Sequence, residues 1–392
     1  MRLYSLFSIS AVLALASNVL AAEKIVQVSD GPSLNAALRS AKPGTRIRIA
    51  PGRYRPEVHV SGLAGTEAEP IVIEGADEKD PPLFAGGGEA WKLQKCAYVT
   101  LRNIAVSGQS SNGINVDDGG ARDGKSAHHI VLEKIHVSDV GPRGNHDAIK
   151  LSGLDDFVVR ACTFEGWGGQ APDMVGCHRG VIEACTFKGR PGFSQGVGPQ
   201  FKGGSSQVAV RRCLFLDVGE RGVNMGGSTD LRAFRPSDAT YEAKDVVVEG
   251  CTFIGGEAGV AYISQGAMVR YNTFYRPRTW VMRILKEAKD PKFPDTSDGR
   301  FEHNLIVFRR SNDLVNIGPH TKPETFRFAN NWWFREDQPE ASRPKLPARE
   351  TGGVYGIDPK LAAPDGNDLR PLNPDAAAFG ATAWKPQVKD KP

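Results

Sequence analysis

The apolar positions of this chain return in one short phrase rather than in long periodic segments. Val/Ile-rich runs with alternating apolar positions lead into Arg160-Ala161-Cys162-Thr163-Phe164, Glu183-Ala184-Cys185-Thr186-Phe187 and Arg211-Arg212-Cys213-Leu214-Phe215. The phrase returns as Glu249-Gly250-Cys251-Thr252-Phe253 and Arg270-Tyr271-Asn272-Thr273-Phe274. Such alternation marks a β-strand with one buried face. From Cys162 the intervals to the next equivalent positions are 23, 28, 38 and 21 residues, in or near the range of solenoid repeats. A constant strand phrase with variable spacing predicts strands that stack once per coil while the loops between them change length. The expected class is all-β, a parallel β-helix.

Ahead of the repeats, residues 25–28 read as a strand, and Ser33 is the expected N-cap of a short helix with Leu34, Ala37, Leu38 and Ala41 on one face and Pro43-Gly44 at its end. This helix is expected to cover the open core of the first coil. Counting back from each strand phrase gives an inward column of Val116, Leu151, Cys177, Phe201 and Asn224. Its neighbours then face outward: Asn115 with Asp117, Lys150 with Ser152, Gly176 with His178, Gln200 with Lys202, and Val223 with Met225. Coils continue through residues 261–263, 300–308 and 326–334. The β-helix domain is set at residues 23–340, and the Pro-rich, irregular residues 341–392 are expected to cover the last coil.

Composition adds an address. Residues 3–20 are apolar, follow Arg2 and end in Val19-Leu20-Ala21-Ala22, the pattern of a secretory signal peptide cleaved after Ala21 or Ala22. Residues 1–22 are therefore assigned to export, and the mature chain is expected to be secreted or periplasmic, without a membrane anchor and monomeric. The 392 residues would allow two or three ordinary domains, but repeats bury surface only against their neighbours, so one elongated domain is preferred. The chain carries 49 Lys and Arg against 45 Asp and Glu, and losing residues 1–22 removes only Arg2. This mild basicity suits an anionic extracellular polymer and gives no argument for nucleic acid.

Four of the six cysteines share one position of the strand phrase, which predicts an internal stack of buried thiols. Stacked strands lie about 4.8 Å apart, so disulfides between adjacent coils are the alternative. Neither a CxxC spacing nor a Cys/His ligand pattern appears, which argues against zinc.

Candidate chemistry gathers on the outward strip. Lys202, in Gln200-Phe201-Lys202-Gly203-Gly204-Ser205, sits on a flat β face beside glycines that admit a polymer, where nearby cations would make it a base. The plain reading is a solvated lysine before a turn. Lys150 and His178 in adjoining coils add cationisable groups that match a run of carboxylates. Asp147 and Asp173 align in successive coils and are expected either to hold calcium, with Asp117 or Asn115 close by, or to shape turns. His178 either acts on substrate or bonds a loop carbonyl. Trp280 and Arg283 offer a sugar-stacking ring and a carboxylate partner, or pack loops.

The stretch from Leu34 to Tyr54, with Ala-Lys-Pro-Gly-Thr and Ile-Ala-Pro-Gly-Arg-Tyr, and Gly65-Thr66 followed by Pro70-Ile71-Val72-Ile73, resembles the right-handed parallel β-helix polysaccharide lyases of the chondroitinase B and alginate lyase family. That resemblance implies a right-handed coil and a lysine base, with Phe201-Lys202-Gly203 matching the lysine segment. The following arginine segment is matched by Val223-Asn224-Met225-Gly226-Gly227, which puts Met225 where arginine is expected and makes Arg221 the substitute. Gln195 and Val197 stand where the family has acidic calcium ligands. Asp147-Ala148-Ile149-Lys150 is similar to the lysine segment of β-helix lyases related to pectate lyases. The leading expectation is an exported lyase that cleaves a uronate-containing polysaccharide by β-elimination. Lys202 is the expected base and Lys150 the second choice, while His178 or Arg221 neutralises the carboxylate. Asn115, Asp117, Gln200, Trp280 and Arg283 would line the substrate, and Asp147 and Asp173 would hold any calcium. A glycoside hydrolase using Asp117, Asp147 and Asp173, and a non-catalytic carbohydrate-binding protein, are the rivals.

Overall fold

The computed structural model describes residues 24–121, 126–309 and 313–386. The proposed signal peptide lies outside these residues. Three long parallel sheets of 14, 10 and 12 strands wind into a β-helix, and a two-stranded antiparallel ribbon stands apart. One coil runs from Ile149–Ser152 in the second sheet, through Leu154–Asp155 and Val158–Arg160 in the first, to Thr163–Trp167 in the third, and returns to the second at Asp173–Val175.

The repeated phrase is the corner between the first and third sheets. Arg160 ends one strand, Ala161 turns in the left-handed region at φ 53°, and Cys162 points inward before the next strand. Ala184, Arg212 and Tyr271 turn in the same way. Each such non-glycine turn costs roughly 1–2 kcal/mol, and successive coils keep the same corner. Behind it the phenylalanines form a continuous stack from Phe164 through Phe187, Phe215 and Phe253 to Phe274, with ring centroids 4.4–5.0 Å apart. All six cysteines are free and buried, so the thiol reading holds and the disulfide alternative does not.

The first sheet carries a charge ladder on its outer face. Arg48, Glu74, Arg102, Glu133, Arg160, Glu183, Arg211, Glu249, Arg270 and Glu302 succeed one another on adjacent strands. A partly exposed contact such as Arg160 to Glu133 at 2.9 Å is worth at most about 1 kcal/mol, whereas Glu249 is buried under Arg270, 2.7 Å away. Their alternation adds register: a slip by one coil would set like charges opposite each other.

The helix Gly31–Ser40 covers the first coil with Leu34, Ala37 and Leu38. Its N-cap is Asp30, not Ser33: the Ser33 amide donates to Asp30 Oδ1 at 2.7 Å, and the two residues form a reciprocal capping box. At the other end paired strands continue past residue 340, through Glu350–Thr351 and Val354–Tyr355. The irregular segment beyond them runs back along the outside of the third sheet. There Leu369, Ala376 and Phe379 pack with Tyr275, Leu305, Val307 and Trp332, and Trp384 reaches Gly250. It covers the flank of several coils, while Leu346 and Ala348 of the same C-terminal segment pack against the main core.

Register in the second sheet corrects the inward column at two coils. Val116, Leu151, Met174, Phe201 and Met225 pair in sequence and lie in the core. Cys177 belongs one corner further on, because Gly176 turns at φ 60° and carries the chain out of the second sheet. His178 therefore faces outward from the first sheet, opposite Asp155 and Ser206, and not on the strip. Met225 is fully buried and Asn224 takes the outward place beside Gln200.

Candidate functional site

The outward face of the second sheet presents two columns. One runs His59, Lys92, Asn115, Lys150, Asp173, Gln200, Asn224, Ala261, Arg283 and Asn316. The other runs Ser61, Gln94, Asp117, Ser152, Val175 and Lys202. Asn115, Asp117, Lys150, Asp173, Gln200, Lys202 and Arg283 thus share one face, as the alternation of the sequence requires.

At its centre lie two aspartates with no exposed surface. Lys150 Nζ donates to Asp173 Oδ2 at 2.7 Å and to Asp147 Oδ2 at 3.2 Å. Asp147 and Asp173 do not occupy equivalent places in successive coils: Asp173 pairs with Lys150, while Asp147 stands before its strand and accepts the Gln170 amide on Oδ1 at 2.9 Å. Lys202 Nζ stands 3.0 Å from Asp173 Oδ1 but off the hydrogen-bond direction, so that buried oxygen has a neighbouring charge without an aligned donor. Burial, then the neighbouring Asp173, push the Asp147 carboxyl above the usual range against the pull of Lys150. Burial lowers the Lys150 ammonium, but Asp173 and Asp147 outweigh it and hold its pKa above the ordinary value.

This donor set does not fit calcium. The ion needs six to eight oxygens, whereas both aspartates already face ammonium groups and a backbone amide. Asp117 is engaged elsewhere, with Lys92 at 3.6 Å and the Gln94 amide at 3.1 Å. Among the described residues no group of three or more His, Cys, Asp or Glu side chains is placed to hold a metal.

The space beside Lys202 is left open by a neighbour that lacks a side chain. A Cβ on Gly227 would lie 2.4 Å from Gln200 Nε2 and 3.3 Å from the Lys202 stem. Glu242 anchors the turn behind it, accepting the amides of Gly203 and Thr229 at 2.7 and 2.9 Å. Loops wall the face on both sides. Those leading into the strands line a cleft of about 590 Å³ with Arg190, Gln195, Asp217, Glu220, Glu257 and Arg278. Those leaving them meet through Phe234, Ala239, Ala288 and Phe293.

The remaining expected residues fall into two groups. Arg221 enters the strand Val223–Met225 and pairs with Glu287 at 2.7 Å, and Arg283 lies over the ring of Trp280 at 4.7 Å. These belong to the same face, further along the coil axis. His178 does not: its Nδ1 lies 2.9 Å from Ser206 Oγ, and burial lowers its pKa against the pull of Asp155. Asn224 was expected to face inward, and neither Gly227 nor Glu287 was given a role in the sequence. Gly227 carried a signal in its Gly-Gly pair, whereas Glu287 lies in a loop whose return to Arg221 no pattern announces.

A family model described as the right handed beta helix region matches residues 92–282. Among solved structures, an alginate lyase from Paenibacillus sp. str. FPU-7 superposes with a TM-score of 0.54 at 16% identity, over 76% of this chain and 97% of that one. A GH136 lacto-N-biosidase from Eubacterium ramulus gives 0.54 at 13% identity, over 85% and 68%. A PL6 family polysaccharide lyase from Pseudopedobacter saltans gives 0.50 at 12% identity, over 92% and 100%. No curated protein matches the sequence significantly. At these identities the likeness is one of fold, and that fold carries both lyases and a biosidase. The chain is a right-handed parallel β-helix protein.

Proposed function

We propose that this chain is an exported, monomeric polysaccharide lyase that acts on a uronate-containing polymer by β-elimination, with Lys202 as the base. The observation that carries this reading is the unequal sharing of Asp173 by two lysines. Lys150 is held by both buried carboxylates and keeps its proton, so it serves as a fixed cation. Lys202 has one unaligned contact, to Asp173, and stands beside the open space at Gly227, so it is the less firmly held of the two lysines.

In this reading Lys202 Nζ acts as the base and takes the C5 proton of a uronate unit. The C–H electrons form the C4=C5 double bond, the C4–O bond breaks, and the ammonium formed on Lys202 returns the proton to the leaving oxygen. The reaction requires the adjacent carboxylate to be neutralised, and the fixed cation of Lys150 stands before Lys202 along the face to do so. Export rests on residues 1–22. Among the described residues no helix is long and apolar enough to cross a membrane.

The hydrolase reading on Asp117, Asp147 and Asp173 is disfavoured by burial. Asp147 and Asp173 expose nothing, and their contacts through a single Nζ leave their oxygens closer than the ~6.5–9.5 Å of an inverting pair. Asp217, Glu220 and Glu257 line the flanking cleft and are the carboxylates there that such a reaction could use. Product chemistry decides: elimination gives an ultraviolet-absorbing C4=C5 bond, and hydrolysis gives reducing ends without it.

A further inference from the structure

Arg221 and Arg283 both lie along the outward face beyond Lys202, and Glu287 reaches back from a loop to pair with Arg221. Arg221 Nη1 lies 2.7 Å from Glu287 Oε1, while the buried Arg221 Nε has no hydrogen-bond partner. Arg283 donates through Nε to Asn316 Oδ1 at 3.0 Å and lies over the Trp280 ring, and among the described residues nothing bonds its two terminal amines. Burial and the nearby Arg221 both weigh against the Arg283 charge, and Glu287 leads the acids that support it. Two guanidinium forks and an aromatic ring are the groups that recognise a planar carboxylate on a sugar. Glu287 is not part of the sheet: it lies beyond Trp280–Ile284, in a loop, with 30% of its side chain exposed.

We propose that Arg221 and Arg283 form a second carboxylate-binding subsite for the acidic polymer, and that Glu287 occupies it as an internal substitute until a substrate carboxylate displaces it. The inference rests on the proposed polyuronate substrate. Arg283 stands three strands from the coil of Lys202, about 14 Å at the spacing of stacked strands. A polymer lying along the coil axis would therefore meet both sites. The pair with Glu287 reduces apparent affinity by the fraction of time the subsite is closed.

The test is affinity electrophoresis in gels containing sodium alginate, polygalacturonate or neutral dextran, with Lys202→Ala in every variant so that no polymer is consumed. Glu287→Ala and Glu287→Gln should each lower the apparent Kd for at least one anionic polymer, by about tenfold if the subsite is open a tenth of the time. Adding Arg283→Leu should reverse the gain, and dextran should not respond. No retardation by either anionic polymer, an unchanged or higher Kd in both Glu287 variants, or an equal response to dextran would overturn the proposal. Tighter binding in these variants, together with no unsaturated product from the protein that keeps Lys202, would instead overturn the lyase reading and leave this subsite standing.

Discussion

Lys150 and Asp173 meet across adjacent strands at 2.7 Å, with the carboxylate wholly buried and the lysine side chain 28% exposed. The contact converts a charge that the core would reject into a fixed cation at the floor of an open face. Lys150 also satisfies Asp147, so two buried acids depend on one side chain.

Replacing that lysine should therefore be costly. Lys150→Met leaves Asp147 without a countercharge and Asp173 with only the unaligned Lys202. Orphaning buried charge costs roughly 3–5 kcal/mol, and the remaining lysine places this variant near the lower end. Urea unfolding at pH 7 measures it. A loss within error of zero would show that the cluster is not held by this pair.

The stability of the cluster should also depend on pH in a defined direction. Asp147 binds its proton more tightly in the fold than in the unfolded chain, so its contribution is fully present below the ordinary carboxylate value, about 3.9. It is lost as pH rises through the higher folded value. Relative to Asp147→Asn, the wild-type urea midpoint should fall as pH rises from about 4 to 7. A difference that is flat or grows with pH would contradict the raised carboxyl.

Much of this was legible in the chain. The repeated phrase reports the corner between two sheets, and its cysteines and phenylalanines report the core, because one inward position per coil must be filled the same way each time. The Arg and Glu that alternate before those cysteines record the outer ladder. The register of Asn115, Asp117, Lys150, Gln200 and Lys202 followed from period-two alternation. It failed at His178 and Met225 because glycine corners at Gly176 and Gly226 shift the phase and look like ordinary turns in sequence. The meeting of Asp147 with Lys150 and Asp173 was hidden for a different reason: Asp147 reaches the cluster from outside its strand. Pairing between distant loops, as in Arg221 with Glu287, leaves no periodic trace.

The thiols should be inert in the native protein. Burial pushes Cys177 up to about 12 and Cys96 up to about 11, and Cys162, Cys185 and Cys213 also rise well above the ordinary value. Thiolate is the reactive form. Iodoacetamide at pH 8 should leave the folded chain unmodified and label all six cysteines in denaturant, without prior reduction. Mass spectrometry reads the count, and labelling of fewer than six would point to disulfides.

Gly227 separates access from stability. A methyl group there meets the end of the Gln200 side chain and the Cβ and Cδ of the Lys202 stem. Gly227→Ala should lower turnover at least tenfold by displacing Lys202, while shifting the unfolding free energy by about 1 kcal/mol or less. Unchanged turnover would show that the space beside Lys202 has no role in catalysis.

The central claim is tested most directly by following absorbance of the C4=C5 bond while purified protein is incubated with alginate, pectate, glucuronan and glycosaminoglycans. Unsaturated product should accumulate from at least one of these polymers. Lys202→Ala should reduce the rate by about 10²–10⁴-fold, the contribution typical of a positioned base, while circular dichroism remains unchanged. Reducing ends released without ultraviolet absorbance, or undiminished elimination by Lys202→Ala, would contradict the account.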